Sequence, residues 1–122
     1  MQHKIITTDD GSHTIYVPEL NEHYHSTRGA IQESNHIFID KGLRFYLERH
    51  ISQLVTYKDQ QINILEIGFG TGLNALLTLL ESEKLSINVN YHSVELYPVS
   101  IEEAEKLNYI GLVNKSRQNQ QQ

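Results

Sequence analysis

The clearest periodic signals lie between residues 43 and 94. Leu43, Tyr46, Leu47, His50, Ile51 and Leu54 recur at helical spacing and predict an amphipathic helix with a polar back. Ile62-Asn63-Ile64-Leu65-Glu66-Ile67 predicts a short β-branched strand that runs into glycines. Leu73, Leu76, Leu77 and Leu80 give a second helical stripe. Ile87, Val89 and Tyr91 then alternate with polar residues up to Val94, as a strand does. Ser100 followed by Glu103 fits a capping box that opens another helix. Residues 62 to about 107 therefore read strand, helix, strand, helix, a βαβ unit whose strands pair in parallel.

Upstream, Lys4-Ile5-Ile6-Thr7 and His13-Thr14-Ile15-Tyr16-Val17 are β-prone runs joined through Asp10-Gly11, which predicts a hairpin. Residues 19–28 lack a period and read as a polar loop. A helix is expected from Gly29 or Ala30 to about Asp40, with a break at Gly42, and Tyr57 to Gln61 as a polar loop. The stretch from Lys115 to Gln122 has no apolar residue and is expected to be disordered. The fold class is α/β: an N-terminal hairpin and helices (1–61), then a βαβ half-site (62–112), together a partial domain over 1–112, with a polar tail over 113–122.

The chemistry sits at the junction of the first parallel strand and its helix. Glu66-Ile67-Gly68-Phe69-Gly70-Thr71-Gly72 places three glycines where the chain must turn tightly and let a ligand approach the backbone. The helix that follows points its first N–H groups at the crevice beyond the strand ends. Glu95, at the end of the second strand, follows the glycines at about the 20-residue distance at which nucleotide-binding βαβ units place a ribose-binding carboxylate. A phosphate loop would carry Gly-Lys-Ser/Thr, and Leu73-Asn74 stand there instead. A dinucleotide fingerprint would place its third glycine one residue later.

Composition narrows the classes. With 122 residues and no cysteine, the chain is one small domain without disulfides or thiolate chemistry. The net charge of −5 argues against a phosphate-hugging surface. No apolar run could span a bilayer, and no secretory signal is expected, so the expected location is cytoplasmic. His23-x-His25 lies in an aperiodic loop near Glu19, Glu22 and His36. It reads as loop hydrogen bonding, with no metal site expected. His50 is expected to pack within its helix stripe.

The acid-preceded Gly-x-Gly-x-Gly string resembles the first motif of class I S-adenosylmethionine (SAM)-dependent methyltransferases. Three stretches in order narrow the likeness: Tyr16-Val17-Pro18-Glu19-Leu20-Asn21-Glu22-His23-Tyr24-His25-Ser26, Gly29-Ala30-Ile31-Gln32-Glu33-Ser34 with His36-Ile37-Phe38, and Gly68 through Asn74. With Glu95-Leu96-Tyr97-Pro98 and Leu107-Asn108-Tyr109 they resemble the MnmD-type family, related to the methyltransferase half of bifunctional MnmC. That family completes 5-methylaminomethyl-2-thiouridine at the tRNA wobble position.

The resemblance implies a Rossmann-like fold, SAM as cofactor and tRNA as substrate. It implies methyl transfer to the primary amine of 5-aminomethyl-2-thiouridine. Glu66 would face the amino-acid end of the cofactor, and Glu95 would take the ribose. Gly68, Phe69, Gly70, Thr71, Gly72, Asn74 and Leu96 would line the site. Tyr24, Ser26 and Glu33 would come from the N-terminal segment that packs over it. Family members continue through further strands, so the resemblance also implies an incomplete member whose catalytic residues lie outside this chain. The alternative is a non-catalytic remnant or interaction module, associating with itself or a protein partner through an uncovered sheet edge.

Overall fold

Asp10 and Gly11 turn the chain back on itself, Gly11 with φ +88°, and set up the expected hairpin. The computed structural model describes residues 2–50 and 61–120, with side chains as far as Ser116. The expected end of the helix stripe at Ile51 and Leu54, and the loop expected from Tyr57 to Gln61, lie outside the described residues except for Gln61, which is strand and not loop. The chain divides into two compact units: residues 1–33 with 99–122, and residues 34–98.

In the first unit, β1 (Lys4–Thr7), β2 (His13–Val17) and β3 (Glu22–His23) form an antiparallel sheet in the order β1-β2-β3. β3 corrects the expected loop. A 3-10 turn at Pro18–Leu20 and a left-handed Asn21 bring two residues back onto β2, too few to show a period. Ile15 and Val17 of β2 are buried.

The hairpin turn also caps the helix that follows. The Ala30 N–H donates to Thr8 Oγ1 (3.2 Å), Ile31 to Ser12 Oγ (3.0 Å) and Gln32 to Asp10 Oδ2 (2.9 Å). These satisfy the free donors at the start of α1 (Ala30–Ser34) from a distant segment. Gly29 is required beside them, because a Cβ there would lie 2.6 Å from Asp10 Oδ2.

Burial alone would raise the Asp10 carboxyl. The hydrogen bonds from the Ser12 hydroxyl and N–H, the Gln32 N–H and the Thr8 hydroxyl outweigh it and hold the group below the usual carboxylate range. A lowered native pKa stabilises the fold above the unfolded value and loses that contribution as the pH falls through the native value. Asp10→Ala should therefore cost about 1–2 kcal/mol near neutral pH. Acid titration of both proteins, followed by thermal melting, should show the gap closing as the pH falls through the lowered native value of Asp10. A gap that persisted in acid would refute the assignment.

The C-terminal segment joins this same unit. Asn108 accepts from the His13 N–H (2.9 Å) and donates to the Gly11 carbonyl (2.9 Å), and the buried Tyr109 donates its hydroxyl to the His13 carbonyl (2.7 Å). α4 (Ile101–Glu105) has the expected cap, with the Glu103 N–H donating to Ser100 Oγ. The Glu103 carboxylate meets His3 Nδ1 at 2.7 Å. α5 spans Tyr109–Gln120 and so runs through residues expected to be disordered. Its Gln, Lys and Arg residues are good helix formers despite their polarity.

In the second unit the helical path does not break at Gly42. A π-helical stretch, Asn35–Arg44, passes directly into α2 (Phe45–His50). Glycine costs a helix about 1 kcal/mol but does not forbid it, and here Ile39, Leu43 and Leu47 are buried on either side. The apolar stripe is narrower than expected. Tyr46 and His50 are exposed and stack on each other, rings 4.4 Å apart, so His50 is not a packed core residue.

β4 (Gln61–Ile67) pairs in parallel with β5 (Asn88–Val94), joined by α3 (Leu73–Leu85), as the βαβ pattern predicts. Leu43, Leu47, Ile62 and Ile87 form its core, with Ile64, Leu85 and Val89 against them. The alternate positions, Leu65 (70% exposed), Ile67 (78%) and Val94 (54%), leave the other face bare. Among the described residues no strand pairs with the free edge of β4. No helix among them is long and apolar enough to cross a membrane.

Candidate functional site

The carboxyl ends of β4 and β5 bring together the residues that the glycine string and its acidic partners single out. Gly68, Gly70 and Gly72 all have positive φ (89°, 58° and 81°), a region that side chains disfavour. A Cβ on Gly68 would meet nothing within 4 Å, so open space lies over it. A Cβ on Gly72 would lie 3.0 Å from the Phe69 ring, which closes over the start of α3. Gly72 is the left-handed cap of α3 and offers no side chain to its first N–H groups.

Glu95 ties the loop to the end of β5. Its Oε1 accepts the Gly70 N–H at 2.7 Å and its Oε2 accepts the Tyr97 N–H at 3.3 Å. A carboxylate has about four acceptor positions, so each oxygen retains one. Leu96, next in sequence, is exposed.

Glu66 is buried at the next-to-last position of β4. Ser93, its register partner on β5, donates its hydroxyl to Glu66 Oε1 at 2.9 Å. Asn74, from the first turn of α3, donates Nδ2 to Glu66 Oε2 at 3.2 Å. Asn74 Oδ1 is buried and has no hydrogen-bond partner. Tyr91 lies beside the same carboxylate. Burial first, and the neighbouring Glu66 second, push its phenol above the ordinary tyrosine value, although its buried hydroxyl closes no hydrogen bond of full geometry. Sequence alone passes over Ser93 and Tyr91. Their only signal is alternation along β5 with Glu95, which acquires meaning once the pairing register is known.

Tyr24, Ser26 and Glu33 come together in the first unit. The Ser26 N–H donates to Glu33 Oε1 (3.1 Å), Ser26 Oγ accepts from the Arg28 N–H (3.1 Å), and His25 Nδ1 lies 3.6 Å from Glu33 Oε1. The Tyr24 N–H donates to the Ile15 carbonyl, and its ring meets His3 edge-on. An open cleft of about 610 Å³ is lined by residues 21–27 and Glu33. Among the described residues, no group of three His, Asp or Glu is placed to hold a metal ion.

No family model matches the chain. It is 31% identical over 102 residues to the tRNA 5-methylaminomethyl-2-thiouridine biosynthesis bifunctional protein MnmC of Burkholderia multivorans, a match covering 80% of this chain and 14% of that one. The proteins of the same name from Legionella pneumophila (strain Corby) and Saccharophagus degradans are 31% and 32% identical over 87 residues. Those matches cover 69% and 70% of this chain, and 13% and 12% of theirs. The crystal structure of MnmC2 from Aquifex aeolicus superposes with a TM-score of 0.67 at 29% identity, over 81% of this chain and 31% of that one. The fold likeness agrees with the α/β, partial Rossmann-like class expected from the βαβ pattern. By sequence and by fold, this chain is similar to the MnmC proteins and spans a minor part of their length.

Proposed function

We propose that this chain provides the SAM-binding half-site of a methyltransferase that modifies the wobble uridine of tRNA, by transfer to the amine of 5-aminomethyl-2-thiouridine. The observation that carries this is the convergence of Glu66, the three positive-φ glycines and Glu95 at the ends of two adjacent parallel strands. The open space over Gly68 would admit a ligand against the backbone. The uncapped start of α3 suits the carboxylate of the methionine moiety. Glu66 and the free Asn74 Oδ1 suit its ammonium, and the two remaining acceptor positions of Glu95 suit two ribose hydroxyls. Acidic neighbours also favour a cationic sulfonium over a pyrophosphate. By the family resemblance, Tyr24, Ser26 and Glu33 are further candidates for cofactor binding, and tRNA is the substrate. A tRNA-modifying role would place the protein in the cytoplasm.

Calorimetric titration of the purified chain with SAM tests this. Saturable heat at one site per chain is expected. A folded protein giving none would remove the cofactor role.

A second possibility, an interaction module, is favoured by the bare face of Leu65, Ile67 and Val94 and by the adjoining groove of about 400 Å³ under Ile37, Phe38 and Tyr46. Exposed apolar surface of this kind marks association. Sedimentation should then show self-association or partner-dependent solubility, and a monodisperse monomer would count against it.

A further inference from the structure

A buried carboxylate is useful to a ligand only if it is held in one orientation. Glu66 is held from two sides. Ser93 reaches Oε1 from β5, directly across the parallel ladder, and Asn74 reaches Oε2 from α3. The second contact also fixes the Asn74 amide. With Nδ2 turned to the carboxylate, flipping it would set two acceptor oxygens face to face. Oδ1 is thereby left as a buried acceptor with no donor.

We propose that Ser93 is a positioning residue, holding Glu66 beside Asn74 Oδ1 as an acceptor pair for the ammonium group of the cofactor. This rests on the cofactor assignment above. The serine hydroxyl is short and comes from a strand, so it locks the carboxylate rotor without itself reaching the ligand. Without it, one oxygen of Glu66 loses its partner and the carboxylate can rotate away from the ammonium position.

The test is calorimetry on the full chain with SAM and 5′-methylthioadenosine, which keeps the adenosine and the methylated sulfur, as an uncharged thioether, but lacks the amino-acid end. Ser93→Ala should weaken SAM by about tenfold, the loss of one hydrogen bond to a charged group, and leave 5′-methylthioadenosine unchanged. Ser93→Thr, which restores the hydroxyl on a β-favouring side chain, should recover SAM affinity. In a Glu66→Ala background, Ser93→Ala should have no further effect, because the two act as one unit. Equal losses for both ligands, or additive losses in the double variant, would mean that Ser93 only supports the fold and would overturn the proposal. So would an unchanged SAM affinity in Ser93→Ala. Absence of SAM binding by the unsubstituted chain would instead overturn the cofactor assignment itself, and this proposal with it.

Discussion

Glu95→Ala is expected to weaken SAM binding by about 100-fold, the loss of two charge-assisted hydrogen bonds at roughly 1.5–3 kcal/mol each with part of that restored by water. The carboxylate has two duties that the substitution separates from the rest of the site. It holds the Gly70 N–H at 2.7 Å, and so fixes the middle of the glycine loop against β5. Its remaining acceptor positions are those assigned to the ribose. Glu95→Gln tells the duties apart. The amide oxygen can still accept from Gly70, but the amide nitrogen is a donor and cannot accept a hydroxyl proton. Calorimetry should therefore rank affinity as wild type, then Glu95→Gln, then Glu95→Ala. The melting temperature should fall further in Glu95→Ala than in Glu95→Gln, because only alanine frees the Gly70 N–H, whereas glutamine gives up the longer Tyr97 contact alone. Equal SAM affinity in all three proteins would rule out a ribose contact at Glu95.

The glycine loop and Glu95 could be read from the sequence because both follow from local rules. Positive φ restricts a turn to glycine, and a parallel βαβ unit sets how far on the next strand ends. The hairpin, β4, α3 and β5 were legible for a similar reason: each buries one face, and burial writes a period into the sequence. Features that depend on distant partners were not legible. Gly42 suggests a break when only the backbone is considered, yet Ile39, Leu43 and Leu47 are buried on both sides of it and carry the helix through. β3 is two residues long and exists because Asn21 turns the chain back onto β2. Asn108 and Tyr109 lie nearly a hundred positions from the hairpin residues they clasp, and no local pattern announces such a pairing. Ser93 is one polar residue among several on β5 until the register sets it opposite Glu66.

Arg44→Ala is expected to destabilise the second unit by about 2–3 kcal/mol, below the 3–5 kcal/mol of a fully buried pair because the guanidinium is partly in water. Arg44 Nε and a terminal nitrogen reach the two oxygens of Glu81 at 2.7 and 3.1 Å, and the other terminal nitrogen holds Asp40 at 2.9 Å. The Glu81 hydrogen bond is the main reason the guanidinium holds its proton even more tightly than usual. Glu81 sits on α3 and is buried, whereas Arg44 closes the π-helical stretch. The pair therefore fixes α3, whose first turn forms one wall of the glycine loop, against the helix packed beside it. Alanine would leave the Glu81 carboxylate buried without a cation. The melting temperature should fall by roughly 10 °C. Arg44→Lys keeps the charge but not the two-pronged geometry and should recover part of the loss. Arg44→Ala combined with Glu81→Leu should recover more, because the cost lies in the stranded charge and not in the missing attraction. If the double variant melts no higher than Arg44→Ala, the stranded charge is not the source of the instability and the link between the two helices acts through packing of the arginine stem.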